Sequence, residues 1–293
     1  MFENIKNGWK IGKAVRKIVS RDKSLMLYPI VAVVISIIAF LLIFGIGLFS
    51  AFVISGGNIH NPMHGAGSMI FIITIFISYI AIEFISVYVN IALLIAFKSF
   101  INGKKLKMMD AFGKAVHYRK NILEWAIFYS IIIMLLNIIE SRFRGLGRLV
   151  IGFIGSLAIT AATFFVVPVI LEKNIGPIGA IKESVNTIYH KFGQTFGGVA
   201  YIDLYSFIFV IAGILIILGS ILFLIPVLAV FIIFFIIGII FLIYGIVYGA
   251  TLREVFRLIV YDYANGKALP KEIDVKTLNS AIKKNKNKTI NNI

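Results

Sequence analysis

The sequence predicts an all-α fold: a polytopic membrane bundle of six transmembrane helices with amphipathic interfacial helices on the cytoplasmic side. Three observations carry that expectation. Hydrophobic residues make up 60% of the 293 and charged residues only 14%, a balance that suits a core built in lipid better than a water-soluble domain. Apolar runs of twenty residues or more recur, and at about 1.5 Å per residue each can cross a hydrocarbon layer about 30 Å thick. Basic residues collect in alternate connections between those runs, which is the bias that orients helices across a membrane.

Residues 1–24 read as a basic amphipathic helix. Phe2, Ile5, Trp9, Gly12, Val15 and Val19 recur at helical spacing, while Lys6, Lys10, Lys13 and Lys17 recur on the other side. The four lysines form a candidate lipid-facing basic stripe, each drawn to anionic headgroups by roughly 1 kcal/mol near the surface. The first span, roughly Leu27 to Ser50, stays as an anchor, because no small-residue cleavage site follows a short apolar region. The loop after it holds His60 and His64 in HNPMH. Pro62 disfavours a helix there and no carboxylate accompanies them, so the loop reads as an external connection and not as a metal site.

The second span, roughly Met69 to Phe97, carries Glu83 near its middle and Asn90 seven residues on, two turns along one helical face. An acid at the bilayer centre costs at least about 2.5 kcal/mol on insertion scales, so Glu83 should face the bundle interior. It is either a structural acid hydrogen-bonded between helices or, with Asn90, part of a candidate intramembrane polar site. The phrase GKAV of residues 12–15 then returns at 113–116 inside KMMDAFGKAVHYRK, which places Met109, Phe112 and Val116 on one side. A looser relative, GPIGAIKESVNTIYHK, places Ile178, Ile181, Val185 and Ile188 likewise. The pattern is that of a unit used three times, an interfacial helix followed by two spans.

The third span runs roughly Ile122 to Ile139, turns through ESRFRGLGR, and is followed by a fourth at Leu149 to Leu171. Gly152, Ser156 and Thr160 recur every four positions in the fourth, and Gly245 with Gly249 in the sixth, faces that permit close helix packing where lipid supplies no hydrophobic drive. Pro168 frees a backbone carbonyl and should bend the fourth span. The stretch from Ser206 to Gly249 has no charge. It divides into spans at Val199 to Phe223 and Val227 to Ala250, with a turn at Leu224 to Pro226 or at Gly219-Ser220. Residues 25–264 thus form the transmembrane domain and 265–293 a basic cytoplasmic tail, mostly disordered for want of apolar residues.

The net charge of +16 would suit a nucleic-acid binder, but its distribution does not. With both termini inside, 26 of the 29 Lys and Arg lie on the cytoplasmic side and only Arg142, Arg144 and Arg148 outside. No separate folded basic domain remains for nucleic acid. No cysteine is present, and no H-E-x-x-H, phosphate-binding glycine loop or G-x-S-x-G elbow appears. The sequence therefore indicates neither catalytic residues nor a bound cofactor or metal.

Several short pieces resemble a known family. They are W-K-x-x-K around Trp9, Asp22-Lys23 with Pro29, Asn90-Ile91-Ala92, Asp110-Ala111-Phe112, Glu140 with Gly145-Leu146-Gly147, and the run from Phe164 to Ser184. Together they resemble an uncharacterised family of prokaryotic integral membrane proteins, known as a domain of unknown function. They are more loosely similar to the membrane domain of some glycerophosphodiester phosphodiesterases, although no residues are left over to form that enzyme's catalytic barrel. The resemblance implies six helices, a prokaryotic cell membrane and no assigned activity. A non-enzymatic scaffold or accessory subunit is the expected function, with the bilayer and its anionic headgroups as partners and a membrane protein or second copy as a further one. The alternative is a small-molecule or ion transporter using Glu83 and Asn90.

Overall fold

A computed structural model describes residues 2–55, 66–223, 227–267, 269–270 and 273. Its regular elements are all helical: α1 (Phe2–Val19), α2 (Leu27–Ile54), α3 (Ala66–Ile101), α4 (Met108–Ala115), α5 (Arg119–Ser141), α6 (Leu146–Thr163), α7 (Val166–Lys173), α8 (Pro177–Phe223) and α9 (Leu228–Ala264). Among the described residues, six stretches are long and apolar enough to cross a membrane: Lys23–Ile54, Gly67–Ile101, Met108–Ser141, Leu146–Lys173, Thr195–Phe223 and Leu228–Ala264. Between 6% and 22% of their most apolar windows is buried within the protein, so most of those side chains require an apolar solvent. The chain is a multi-pass membrane protein.

Two compact units divide it. One comprises Met1–Pro29, Phe100–Gly103 and Thr187–Ile293, and the other Ile30–Ser99 and Lys104–Asn186. The N-terminal helix therefore belongs to the same unit as the last two spans.

In that first unit, α1 buries Gly8, Ile11, Gly12, Val15 and Val19 and leaves Lys6, Lys10, Lys13 and Lys17 exposed. The buried face meets α8 backbone to backbone. A Cβ on Gly197 would lie 2.0 Å from the Ile5 carbonyl oxygen, and one on Gly198 3.0 Å from that of Gly8 and 2.1 Å from the Phe256 ring. Gly12 closes the contact from the other side, where an added Cβ would lie 3.0 Å from the Gly198 oxygen. At Gly197 and Gly198 such approach is open only to residues without a side chain, whereas at Gly12 a Cβ asks its neighbours to give by a few tenths of an ångström. Trp9 differs from the expected apolar stripe. It is 40% exposed, because one edge of the ring rests on Tyr201 at 5.0 Å and the rest points outward. Arg16 lies over Tyr205 at 4.5 Å, and Tyr248 Oη donates to its carbonyl at 3.3 Å. Beyond α1, buried Asp22 caps the next turn by accepting from the Ser24 N–H at 3.1 Å and its hydroxyl at 2.6 Å.

α8 and α9 cross through glycines. A Cβ on Gly213 would lie 2.7 Å from the Gly238 oxygen, one on Gly245 3.0 Å from the Ser206 oxygen, and one on Gly249 2.0 Å from Ser206 Oγ. α8 runs 47 residues from Pro177, so the third amphipathic stretch continues into the fifth span without interruption. No proline after Pro177 breaks it, and glycine alone does not end a helix whose faces are packed. Gly219 and Ser220 are helical, which removes them as the turn. The alternative at Leu224 to Pro226 lies outside the described residues, as do His60, His64 and residues 274–293 of the tail.

In the second unit the run from Phe164 to Leu171 is wholly buried. Pro168 cannot donate to the carbonyl four residues back and its ring crowds it. The helix accordingly breaks between α6 and α7, and the hydroxyl of fully buried Ser184 accepts the Phe165 N–H at 3.0 Å. At the α5–α6 turn Gly145 has φ 57° and ψ −134°, a region closed to side-chain-bearing residues. A Cβ on Gly152 would lie 3.0 Å from the Glu140 carboxyl and one on Gly155 2.4 Å from Leu136, whereas Ser156 and Thr160 are exposed. The face of α6 turned to α5 is thus that of the two glycines, one residue out of step with the four-residue pattern.

The repeated phrase does not repeat in three dimensions. Gly12 and Val15 are buried, but Gly113 meets nothing within 4 Å and Val116 is 39% exposed. α4 instead buries Ala111 and Ala115 and exposes Met109. The start of α8 buries Ala180, Ser184 and Thr187 and exposes Ile178 and Val185. α1 buries branched side chains beside its glycines, whereas the two later stretches pack on small residues and leave bulky apolar side chains outside.

Gly197→Ala and Gly198→Ala should each lower stability in detergent by about 1 to 3 kcal/mol, since the added carbon meets backbone or a packed ring. Gly219→Ala, with nothing within 4 Å of its Cβ, should leave it unchanged or slightly raised. Thermal unfolding of the three variants checks this, and equal losses would contradict it.

Candidate functional site

Glu83 sits on the second span within α3, and its partner comes from α5. Trp125, only 2% exposed, donates its indole N–H to Glu83 Oε1 at 2.8 Å. The Trp125 ring is held in turn against Tyr129 at 5.6 Å. A helix pair in lipid gains about 0.6 to 2 kcal/mol from such a bond. Indole donates and carboxylate accepts, so the pair is chemically matched. The sequence places Glu83 and Asn90 on one face, and Asn90 is half-buried two turns on, just before the fully buried run Ile91 to Leu94. Tyr88, between them, donates its hydroxyl to the Phe112 carbonyl at 2.8 Å and stacks on its ring, which ties α4 to α3.

A cavity of about 270 Å³ opens one turn from Glu83, lined by Tyr79, Asn137, Ser141 and apolar residues of α3 and α5. Glu83 is not among its lining residues. A third polar cluster joins four helices of this unit, α3, α5, α7 and α8. Lys98 of α3 pairs with Glu172 of α7, Lys173 pairs with Glu183 of α8 at 2.8 Å, and Asn121 donates to Asn174 at 2.7 Å. Asn174 adopts the left-handed conformation that ends α7.

The first unit holds a site that sequence reading missed. A pocket of about 460 Å³ lies between α8 and α9, with Phe207, Val210 and Ile246 at one end and Asp203, Arg253, Glu254 and Arg257 at the other. Arg253 Nη2 donates to Asp203 at 3.2 Å, and Arg257 Nη1 to Glu254 Oε1 at 2.5 Å. Glu254 is 7% exposed, yet among the described residues its Oε2 receives no hydrogen bond, and neither does Arg253 Nε–H find an acceptor. Buried polar atoms left so typically cost about 1 to 3 kcal/mol each. Spacing offered a signal: Arg253, Glu254 and Arg257 follow the apolar run of α9 by one turn, and Asp203 precedes that of α8. What the sequence could not give is that an antiparallel crossing brings the two ends together.

The sequence-predicted residues fall in separate places. Glu83, Asn90 and Gly152 lie in the second unit, and the lysine stripe, Gly245 and Gly249 in the first. Among the described residues, no three His, Asp or Glu are grouped so as to hold a metal ion.

A profile for a family of unknown function (DUF6159) matches residues 69–269. The chain belongs to that family. The matched residues take in Glu83, the Phe164 to Ser184 segment and the α8–α9 pocket, while α1 and α2 precede them. No curated protein and no solved structure matches the chain, so the looser likeness to a phosphodiesterase membrane domain gains nothing from them. Membership brings a shared sequence pattern and no activity.

The Glu83–Trp125 bond yields a direct test. Glu83→Gln keeps an acceptor for the indole and should unfold within about 0.5 kcal/mol of wild type, whereas Glu83→Leu and Trp125→Phe should each lose about 0.6 to 2 kcal/mol. Reversible unfolding in mixed micelles reads the difference. A Gln variant as weak as the Leu variant would remove the bond as its cause.

Proposed function

We propose that this protein is a non-enzymatic scaffold or accessory subunit of a prokaryotic cytoplasmic membrane, with both termini inside the cell. The observation that carries the reading is the lysine face of α1. Its opposite face is occupied by protein, and Lys6, Lys10, Lys13 and Lys17 all remain exposed on the side turned away. A helix fixed in rotation presents its charges in one direction, so four lysines act together on one headgroup layer instead of fluctuating singly. The distribution of basic residues supports that layer being the inner leaflet, where anionic lipid and the positive-inside bias coincide. A membrane-protein partner or a second copy would bind along the exposed apolar helices.

A transporter is the second reading, favoured by an acid within a span and a mainly apolar cavity one turn from it whose wall includes Tyr79, Asn137 and Ser141. The Trp125 bond supports the structural role instead, because it gives Glu83 a partner inside the protein. Flux separates them. Wild-type protein in liposomes should show no proton-linked solute flux that Glu83→Gln abolishes; flux lost in a stably folded Gln variant would replace the scaffold by a transporter.

Replacing all four lysines by Gln should reduce co-purifying anionic lipid by about tenfold or more, taking roughly 1 kcal/mol per lysine near the surface, and raised salt should do the same to wild type. Lipid counts by native mass spectrometry read both. Reporter fusions after Lys105 and Lys182 should report inside, and one after Arg144 outside. Unchanged anionic lipid in the Gln variant, or an external report after Lys105, would contradict the proposal.

A further inference from the structure

The α8–α9 pocket combines features that the scaffold reading does not use. Its polar end holds two arginines and two carboxylates, which sum to no net charge. A simple anion would meet Asp203 and Glu254, and a simple cation would meet Arg253 and Arg257. Each arginine is partly engaged within the protein, but Arg253 keeps an N–H donor and Glu254 an oxygen acceptor without partners among the described residues, and Glu254 is more than nine-tenths buried. A ligand that satisfies both must bring an acceptor and a donor into the one pocket that both residues line. The acceptor suits a phosphate oxygen, for which guanidinium is the preferred partner, and the donor suits a primary ammonium facing carboxylate.

The other end of the pocket is apolar and outward-facing. Phe207 and Ile246 are 57% and 54% exposed on stretches that cross the membrane. Asp203 and Arg253 lie within the spans Thr195–Phe223 and Leu228–Ala264 but bound their charge-free stretches, 204–223 and 228–252, each long enough to cross hydrocarbon, so the polar end lies where hydrocarbon gives way to headgroups. At about 460 Å³ the pocket is of small-molecule size.

We propose that this pocket binds a zwitterionic phosphodiester bearing a primary ammonium, as the headgroup of a membrane phospholipid. The phosphate accepts from Arg253 and Arg257, the ammonium donates to Glu254 Oε2 and Asp203, and the acyl chains leave past Phe207 and Ile246. Phosphatidylethanolamine meets each requirement. Phosphatidylcholine has no N–H to offer Glu254, and phosphatidylglycerol carries a net negative charge and no cation for the two carboxylates. The site is distinct from the lysine face of α1 and stands whether or not the scaffold reading does.

The test uses full-length protein in detergent, offered equal amounts of the three lipids and analysed by native mass spectrometry. Wild type should retain phosphatidylethanolamine about tenfold more than either other lipid. Glu254→Gln should erase the preference over phosphatidylcholine. Ala250→Phe, which fills the pocket without altering a charge, should abolish retention, and it decides the matter should Glu254→Gln not fold. Displacement of the bound lipid by glycerophosphoethanolamine, which has no acyl chains, would support the same chemistry with a water-borne ligand. No displacement would assign the site to the lipid. Equal retention of all three lipids by wild type, or an undiminished preference in a folded Ala250→Phe variant, would overturn the proposal.

Discussion

The contact of bare backbone at Gly197 and Gly198 governs how the first unit is built. Helices in lipid gain little by merely touching apolar surface, so association has to come from close packing and hydrogen bonds. Two glycines on α8 let α1 approach until carbonyl oxygens stand against Cα atoms, and Gly12 repeats the concession from the other helix. That approach fixes the rotation of α1. With Gly8, Gly12 and Val15 turned inward, Lys6, Lys10, Lys13 and Lys17 can only face away. The amphipathic helix is therefore docked on its own protein first, and its charges are positioned as a consequence.

The same economy recurs elsewhere with different residues. α8 and α9 cross on Gly213, Gly238, Gly245 and Gly249, α6 meets α5 on Gly152 and Gly155, and α4 packs on Ala111 and Ala115. Polar groups gather where apolar runs end: Lys98 with Glu172, Lys173 with Glu183, Asp203 with Arg253. Glu83, near the middle of a span, is matched to a side chain that is apolar in body and a donor at its edge, the buried indole of Trp125. Ser184 does the equivalent for backbone, accepting the Phe165 N–H at the break before Pro168. Each is a local solution to the rule that lipid leaves no water to satisfy a polar group.

Those rules explain what the sequence disclosed. Six apolar stretches were legible because hydrophobic length alone decides them, and the interior orientation expected of Glu83 follows from its cost in lipid. The helical phase of α1 was nearly legible, with Trp9 misjudged because aromatic bulk looked like core whereas Tyr201 offered only one edge to pack on. Ser156 and Thr160 misled for a related reason: small residues mark permitted approach, and only the neighbour's shape, here Leu136 and Glu140, selects which are used. GKAV looked like a repeat because four letters agree, yet burial depends on the register against a neighbouring helix that the four letters do not encode. The α8–α9 pocket was hidden for the same reason. Asp203 and Arg253 are fifty residues apart, and their 3.2 Å pairing exists only after the hairpin closes.

Docking of α1 on α8 can be measured directly, since the chain has no cysteine of its own. A Cβ at Gly12 would lie 3.3 Å from that of Tyr201, close to the ~3.5–4.5 Å separation that a disulfide spans. The pair Gly12→Cys with Tyr201→Cys should form an intramolecular disulfide under mild oxidation in native membranes, whereas Lys13→Cys with Tyr201→Cys, on the exposed face, should not. Absence of the first crosslink, or equal crosslinking of both pairs, would show that α1 lies free on the lipid and that glycine contact does not set its rotation.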